Sequence, residues 1–203
     1  MIFELMTKYL LNSGGLKKWP EKIIKFHGEI IKDLGNKPKI LFCYFAIARE
    51  DWEEKFAENN MRFLKSMDKG IEPVFELAMP NKFVEQIKNN DAIVIHGGDD
   101  NLLLYWLKQF NLPEIWKDKV VVGSSAGADA LVKHFWTCDW RQCLDGLGIL
   151  DIKFIPHYKS DFGKDDPRGP IDWNKAYNEL AEYGDKTLSI HALEEGDFMV
   201  IEE

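Results

Sequence analysis

The sequence predicts an α/β fold in which a mostly parallel sheet carries helices on both faces. Short runs of apolar residues alternate along the chain with longer segments whose apolar residues recur at helical spacing. The short runs are apolar at almost every position, which is typical of strands that helices cover on both faces. A chain of 203 residues with 45% hydrophobic residues can bury one sizeable core, and no repeat or linker interrupts it. We therefore expect one three-layer domain over residues 1–203.

Strands and helices alternate regularly in the first half of the chain. A strand is predicted over residues 8–12, and an amphipathic helix begins near Pro20 and stops at Gly35. Further apolar runs predict strands over residues 40–47, 74–77 and 92–95. Helical spacing predicts helices over residues 51–67, 80–88 and 101–110. This alternation generates the parallel sheet of the predicted fold.

The second half begins with a fifth strand over residues 120–122, which runs into a turn and a helix predicted over residues 126–135. Beyond this helix the pattern is less regular. It predicts two short strands within residues 147–155, a polar loop over 159–170, a helix over 173–183 and closing strands over 187–191 and 198–201. The turn after the fifth strand is the part of this half that carries a chemical motif.

Charge and composition argue against several classes of function. The formal net charge of −8 is unsuited to a surface that neutralises phosphates, so we expect no nucleic-acid partner. The apolar runs are far shorter than the roughly 20 residues that cross a membrane, and charged residues interrupt the stretch where a signal peptide would lie. We therefore expect a cytoplasmic protein without membrane contact. The three cysteines lack the spacing of a zinc site, and we expect no metal or other cofactor.

The turn after the fifth strand has the pattern Gly-x-Ser-x-Gly, with Ser125 at its centre. Between a buried strand and a helix, such a turn places the serine hydroxyl at the carboxyl edge of the sheet, where a substrate carbonyl can approach. The N-terminus of the following helix supplies free N–H groups suited to an oxyanion. Ser125 is therefore the candidate nucleophile, with an anion-binding turn that lacks catalysis as the alternative.

A serine nucleophile requires a histidine that accepts its proton, and the chain has five histidines. His157 follows Ile155 and Pro156 at the end of a predicted strand, and parallel-sheet geometry brings such ends to one edge. His134 lies on the same predicted helix as Ser125, about 13 Å further along its axis, which is too far. We therefore predict that His157 is the general base.

The third member of a triad is a carboxylate that orients the imidazole. Four aspartates lie between the serine and the histidine: Asp129, Asp139, Asp145 and Asp151. Asp129 stands one helical turn from the serine and can face the same pocket. Asp139 lies past the predicted helix and has the freedom to reach the histidine. The residues alone leave this choice open, and an ordinary surface charge is the alternative for each aspartate.

A second glycine turn follows the fourth strand, in the sequence His-Gly-Gly-Asp-Asp. Paired glycines let backbone amides face a ligand. One amide of this turn, from Gly98 or Gly97, together with the amide of Ala126, would complete an oxyanion hole. The alternative is a plain turn in which Asp99 or Asp100 caps the next helix, and the two roles are compatible.

Together these motifs resemble those of the aspartyl dipeptidase and cyanophycinase family of serine peptidases. Four features match in order: Ser-Gly-Gly at residues 13–15, the glycine pair at 97–98, Gly-x-Ser-Ala-Gly-Ala at 123–128 and Pro-His-aromatic at 156–158. The resemblance covers most of the chain. It implies a flavodoxin-like fold similar to that of the class I glutamine amidotransferases.

The resemblance also implies roles for individual residues. The family's nucleophile corresponds to Ser125 and its base to His157. Its acid lies shortly after the helix of the nucleophile, which corresponds to Asp139. The glycine turn supplies an oxyanion amide, from Gly98 in the first instance. Arg168 lies roughly where aspartyl dipeptidases have an arginine that binds the substrate.

Two positions depart from the pattern of this family. Asp99 and Asp129 stand where the family often has asparagine, and we count both among the substrate-binding residues. Two acidic groups near the pocket would repel an acidic side chain of the substrate, so the family's preference for aspartate is not carried over. Lys159 and Arg141 are alternatives to Arg168 as partners of a substrate carboxylate.

We therefore predict a serine hydrolase that cleaves a peptide or amide bond in a short peptide, in the manner of a dipeptidase. Its expected partner is the peptide substrate, and a homodimer is compatible with the sequence. One competing interpretation is an esterase of the α/β-hydrolase type, which shares the serine turn; the Ser-Gly-Gly opening and the short segment after His157 argue against it. The other is a non-catalytic member of the same fold that binds a small molecule.

Overall fold

The computed structural model describes residues 6–203. Strands and helices follow one another along this part of the chain as β1 (Lys8–Asn12), α1 (Pro20–Ile31), β2 (Lys39–Cys43), α2 (Trp52–Lys65), β3 (Val74–Leu77), α3 (Phe83–Asn89), β4 (Ala92–Ile95), α4 (Asp100–Leu107), β5 (Val120–Ser124), α5 (Ala126–Leu131), β6 (Val132–Thr137), β7 (Gln142–Asp145), β8 (Leu150–Ile155), α6 (Trp173–Glu182), β9 (Ile190–Ala192) and β10 (Phe198–Glu202). The predicted bounds of β1, β3 and β4 agree with the structure.

The larger sheet has six strands in the order β10-β1-β5-β4-β2-β3. All of its neighbouring strands run parallel except β10, which pairs antiparallel with the edge of β1. The predicted α/β fold with a mostly parallel sheet is therefore confirmed. Because β1, β5, β4 and β2 run in one direction, their carboxyl ends lie along one edge of the sheet.

Helices cover both faces of this sheet. On one face, Phe42 of β2 packs against Phe63 of α2, with 6.4 Å between ring centroids. On the other, Phe45 packs against Phe83 of α3 at 5.0 Å. All four rings are buried, and full burial of each phenylalanine contributes roughly 2–3 kcal/mol to folding. This burial on both faces explains why the strand sequences are apolar at nearly every position.

A second sheet of four strands has the order β7-β6-β8-β9, with β7 antiparallel to β6 and the other pairs parallel. The sequence indicates strands in this region but does not predict a separate sheet. The fully buried side chain of Lys153 on β8 donates hydrogen bonds to the carbonyl oxygens of Leu180 and Tyr183 at the end of α6, at 2.8 and 2.6 Å. The positive charge suits the negative end of the helix dipole and fastens α6 to the strand that precedes His157.

The helix predicted over residues 126–135 is wrong beyond Leu131, because the chain passes directly from α5 into β6. The carbonyl oxygens of Ala130 and Leu131 accept hydrogen bonds from the backbone of Leu147 and Ile149, at 2.9 and 3.1 Å, instead of from a further helical turn. These distant partners, with the β-branched and aromatic residues that follow, favour a strand. His134 therefore lies on β6 and not on the helix of Ser125.

Smaller differences concern the ends of elements. The strand predicted over residues 40–47 ends at Cys43, and the two strands predicted within 147–155 are a single strand, β8, while β7 lies earlier in the chain. None of the helices within residues 6–203 has the length and the apolar character that a membrane span requires.

Candidate active site

Ser125 lies where β5 ends and α5 begins, at the carboxyl edge of the larger sheet. Its backbone angles, φ 51° and ψ −119°, are rarely adopted by residues other than glycine. Its amide donates to the carbonyl oxygen of Asn12 at 2.9 Å, and its own carbonyl oxygen accepts from the amides of Ala128 and Asp129. These bonds hold the strained turn, and the half-buried side chain is left facing the cleft.

The two glycines of the Gly-x-Ser-x-Gly pattern are required by packing. A Cβ atom added to Gly123 would lie 2.5 Å from the carbonyl oxygen of Gly127. One added to Gly127 would lie 2.2 Å from the carbonyl oxygen of Ile95 on β4. Both distances are shorter than real side chains tolerate, so the turn can lie this close to the sheet only with glycine at both positions.

The structure brings His157 to Ser125: the Nε2 atom of His157 is 3.0 Å from the Oγ atom of Ser125. His157 follows the end of β8, with its backbone in the left-handed region at φ 54°. Its imidazole is buried and stacks on the ring of Phe162, with 4.3 Å between centroids. Strand β8 and this aromatic contact together fix the ring in front of the serine.

The Ser-Gly-Gly segment after β1 forms the wall behind the histidine. The Ser13 hydroxyl accepts a hydrogen bond from the backbone amide of His157 at 2.7 Å and donates one to the carbonyl oxygen of Leu193 at 2.8 Å. A Cβ atom on Gly14 would lie 2.5 Å from the Cε1 atom of His157. One on Gly15 would lie 2.7 Å from the side chain of Glu195. The segment thus leaves space for two side chains of the site.

Glu195 is the carboxylate in hydrogen-bond contact with the histidine. Its Oε1 atom is 3.1 Å from the Nδ1 atom of His157, and its Oε2 atom accepts a hydrogen bond from Lys18 at 2.6 Å. The residue lies between β9 and β10, where the amide of Gly196 donates to the carbonyl oxygen of Gly14 at 2.8 Å. Glu195 therefore approaches the imidazole on the side opposite to Ser125.

Burial and hydrogen bonding set the protonation of this pair. Burial lowers the pKa of His157 below its ordinary value, although the hydrogen bond and the charge of Glu195 act in the opposite direction. For Glu195, burial opposes ionisation, but hydrogen bonds from Lys18 and His157 lower its pKa on balance. At neutral pH we therefore expect a neutral imidazole beside an ionised carboxylate, with Nδ1–H donating to Glu195 and the Nε2 lone pair facing the serine hydroxyl.

Asp139, the carboxylate that the sequence predicts for this role, is placed differently. It is exposed after β6, where its carbonyl oxygen accepts a hydrogen bond from Arg168 at 2.8 Å. Its charge acts on His157 and raises the pKa of the imidazole, but within residues 6–203 the carboxylate that accepts the hydrogen bond of Nδ1 is that of Glu195. The expected contact is thus corrected: β6 carries Asp139 to the surface, whereas the turn before β10 carries Glu195 to the ring.

The two predicted sources of oxyanion amides also lie beside the serine. A Cβ atom on Gly97 would lie 2.9 Å from the Cβ atom of Ser125, so this turn passes directly against the serine. Within the described residues, the amides of Gly98 and Ala126 make no hydrogen bond to protein. The side chain of Asp99 accepts from the amide of Leu102 at 2.8 Å and caps α4. In this turn Asp99 thus caps α4, while the amide of Gly98 has no partner among residues 6–203.

The model of peptidase family S51 matches residues 9–203 of the chain. The chain belongs to peptidase family S51. It is a serine-type peptidase, and the match confirms the family resemblance that the four sequence motifs predict. None of the curated proteins compared with the chain matches it.

Two solved structures resemble this member of family S51 in fold. A peptidase from an acI-B1 Actinobacterium superposes with a TM-score of 0.65 at 24% sequence identity, over 97% of this chain and 83% of the other. A protein from Listeria monocytogenes EGD-e that carries the name peptidase E superposes with a TM-score of 0.64 at 16% identity, over 98% of each chain. At these identities the likeness concerns the arrangement of strands and helices.

The basic residues predicted to bind substrate lie around the loop that follows His157. Arg168 is exposed, and its guanidinium group donates to both carboxylate oxygens of Asp166, at 2.8 and 2.6 Å. Arg141 donates to the carbonyl oxygen of Gly169 and so ties this loop to the end of β6. Lys159 lies over the ring of Tyr158. Arg168 and Arg141 are therefore engaged by the loop itself.

Asp129, also counted among the substrate-binding residues, lies on α5 and is only 2% exposed. Its carboxyl group lies near that of Asp100, and its Oδ1 atom is buried. Its predicted contact with the substrate is therefore corrected: the residues that follow Ser125 on α5 are covered by α4 and β6.

The fit of Gly14 against the histidine leads to an expected result for this peptidase. Gly14→Ala should lower kcat by about tenfold or more, because the new methyl group would displace the imidazole from Ser125. Gly35→Ala is the matched control, since Gly35 has a similar positive φ of 76° but no atom near its absent side chain. Both variants should lose about 1–2 kcal/mol of stability from backbone strain. Steady-state kinetics and thermal unfolding of the two variants test this prediction. A kcat of Gly14→Ala equal to that of Gly35→Ala would contradict it.

Proposed function

We propose that this peptidase hydrolyses the amide bond of a short peptide through a triad of Ser125, His157 and Glu195. The observation that carries the proposal is the line of two hydrogen bonds from serine through imidazole to carboxylate, at 3.0 and 3.1 Å. Both distances lie within the reach needed for proton transfer and for orientation of the ring. The strained backbone of Ser125 supports the same assignment, because strain of this kind is typical of nucleophile turns.

In the proposed mechanism, the Ser125 Oγ atom attacks the carbonyl carbon of the scissile bond while the Nε2 atom of His157 accepts its proton. The resulting imidazolium is stabilised by the ionised Glu195. When the tetrahedral intermediate collapses, Nε2–H protonates the leaving amine. Water then attacks the acyl-enzyme with His157 again as the base, which releases the acid product and restores the serine.

The negative charge of the tetrahedral oxygen requires hydrogen-bond donors. We assign this role to the backbone amides of Gly98 and Ala126, since neither has a hydrogen-bond partner among residues 6–203 and both lie within two residues of the contact between Gly97 and Ser125. Gly97, which packs against the serine, is the alternative donor in the first turn. Removal of one such donor in a serine peptidase costs about 10²- to 10³-fold in kcat.

Glu195 is preferred to Asp139 as the orienting acid because of its surroundings. Its side chain is only 12% exposed and is fixed by Lys18, so its bond to Nδ1 is shielded from water. Asp139 is exposed, where charge interactions are screened. Asp139 then contributes a weaker field that favours the imidazolium during the reaction.

The proposed preference for short peptides rests on a cavity of about 290 Å³ between α1, α2 and the larger sheet, which Ser124 lines but Ser125 and His157 do not. Gly97 lies at its boundary, and its walls include the aromatic rings of Phe42 and Phe63. Its lining contains the basic side chains of Lys17, Lys55 and Arg62, and no carboxylate among the described residues. A space of this size and charge suits one apolar side chain together with a nearby carboxylate, which a short peptide supplies at its C-terminus.

A fluorophosphonate probe tests the proposed nucleophile. Such probes phosphonylate serine hydroxyls that a neighbouring base activates. The wild-type protein should be labelled at Ser125 and the Ser125→Ala variant should not be. A wild-type protein that stays unlabelled would favour a non-catalytic binding protein and overturn the proposal.

The bond that is cleaved is tested separately with a dipeptide library assayed beside simple esters. Hydrolysis of dipeptides, with kcat/KM falling as the peptide is lengthened, would support the proposed substrate. Turnover of esters alone would indicate an esterase and would leave the serine assignment intact.

A further inference from the structure

Two carboxyl groups are buried together behind the serine turn. Asp100 is the first residue of α4 and is 4% exposed, and Asp129 lies on α5 and is 2% exposed. Their carboxyl groups are close enough for each to act on the pKa of the other. Two neighbouring buried carboxylates repel each other strongly when both are ionised, so the arrangement requires an explanation.

The hydrogen bonds around the pair indicate that it holds a proton. The Oδ2 atom of Asp100 accepts a hydrogen bond from the Thr137 hydroxyl at 2.5 Å. The Oδ1 atoms of Asp100 and Asp129 are both buried and have no protein donor within the described residues. A proton on one carboxyl group supplies the missing donor and removes the repulsion at the same time. Asp129 is the more deeply buried of the two, which favours it as the group that carries the proton.

The pair connects the two segments that carry the oxyanion amides of the proposed function. Asp100 follows Gly98 by two residues, and Asp129 follows Ala126 by three. Thr137 adds β6 as a third anchor. We propose that Asp100 and Asp129 are positioning residues that share a proton and thereby hold α4 against α5, which sets the distance between the amides of Gly98 and Ala126. This inference rests on the proposed function for its effect on catalysis, but the shared proton does not.

The groups that face the pair strengthen the requirement for a proton. Asp139 from the segment after β6 adds negative charge near both carboxyl groups, and Asp99 adds it near Asp100. Cys138, whose pKa is raised by burial and by these carboxylates, stays a neutral thiol. Burial is the main cause that raises the pKa of Asp129 well above its ordinary value and that of Asp100 to about 6.

Asparagine at position 129 supplies the same hydrogen bond without a proton. Asp129→Asn should therefore keep kcat within about threefold of wild type, whereas Asp129→Ala should lower kcat about tenfold or more with KM nearly unchanged. Asp151→Asn, which removes an exposed carboxylate on β8, is the matched control and should keep both constants. Steady-state kinetics of the four proteins on one dipeptide substrate tests the positioning role.

Thermal unfolding tests the shared proton independently of catalysis. A carboxyl group with a raised pKa stabilises the fold fully below its unfolded pKa, and this stability is lost as pH rises towards the folded pKa. Relative to wild type, Asp129→Asn should therefore gain in melting temperature between pH 4.5 and pH 8, and the Asp151→Asn control should not. If Asp129→Ala does not fold, this comparison and the kinetics of Asp129→Asn still decide the matter.

The outcomes separate this inference from the proposed function. An Asp129→Asn variant as impaired in kcat as Asp129→Ala, or a melting difference that does not change with pH, would overturn the inference alone. Absence of fluorophosphonate labelling at Ser125 would overturn the proposed function and the catalytic role of the pair, whereas the melting difference would still report the shared proton.

Discussion

Ser125→Ala is expected to lower kcat on a peptide substrate by roughly 10⁴- to 10⁶-fold. The loss is large because, in the proposed mechanism, the hydroxyl 3.0 Å from His157 forms the acyl-enzyme, and α5 carries no other hydroxyl. Any residual rate would come from the oxyanion amides and from binding, which survive the change. The measurement is kcat under saturating dipeptide, with purified variant free of wild-type enzyme.

Ser124→Ala is the matched control for this experiment. The Ser124 hydroxyl donates to the Oδ1 atom of Asn12 at 3.0 Å, and Asn12 still accepts from the amide of Gly14 after the change. We expect a loss of about 1 kcal/mol of stability and a kcat within about tenfold of wild type. A result in which Ser124→Ala is the inactive variant and Ser125→Ala retains activity would refute the assignment of the nucleophile.

Glu195→Gln is expected to lower kcat by about 10²- to 10⁴-fold, because the imidazolium formed during the reaction would lose the anion that stabilises it. The pH dependence should change as well. Activity requires neutral His157, so kcat/KM rises with pH through the pKa of the imidazole. The charge and hydrogen bond of Glu195 raise that pKa, so their removal should move the rise in activity to lower pH.

Asp139→Asn distinguishes the two candidate acids. Its charge also raises the pKa of His157, so the rise in kcat/KM should shift in the same direction but by less, and kcat should stay within about tenfold of wild type. Profiles of kcat/KM between pH 4.5 and pH 8 for both variants and wild type make the comparison. If Asp139→Asn is the more impaired variant, Asp139 and not Glu195 orients the imidazole.

The parts of the fold that the sequence predicts well are those determined by nearby residues. Strands β1, β3 and β4 are short apolar runs bounded by turn residues, and their predicted bounds agree with the structure. The glycines around Ser125 and the Ser-Gly-Gly segment are equally local signals, since each leaves space that a Cβ atom would fill. The serine turn and the Ser-Gly-Gly segment behind His157 could therefore be predicted from motifs a few residues long.

The misplaced elements depend on partners far along the chain. Residues 126–135 are compatible with a helix by their apolar spacing, and only the hydrogen bonds from Leu147 and Ile149 show where α5 ends. Glu195 lies 38 residues beyond His157, in a turn that becomes adjacent to the imidazole only when β10 pairs with β1. The pair Glu194-Glu195 before Gly196, between two closing strands, was the available signal. A search confined to carboxylates between Ser125 and His157 could not find it.

The pairing of β10 with β1 has a consequence for the time at which the site forms. A chain made from its N-terminus presents Ser125 and His157 before Glu195, and the backbone of Ser13 and Gly14 gains its hydrogen bonds to Asp197 and Gly196 only when the segment around β10 joins β1. Until then the imidazole lacks its hydrogen bond to Glu195, so under the proposed mechanism we expect Ser125 to be a poorer nucleophile. The proposed triad therefore depends on a strand pairing between distant parts of the chain, because the turn that holds Glu195 lies beside the imidazole only when β10 is paired with β1.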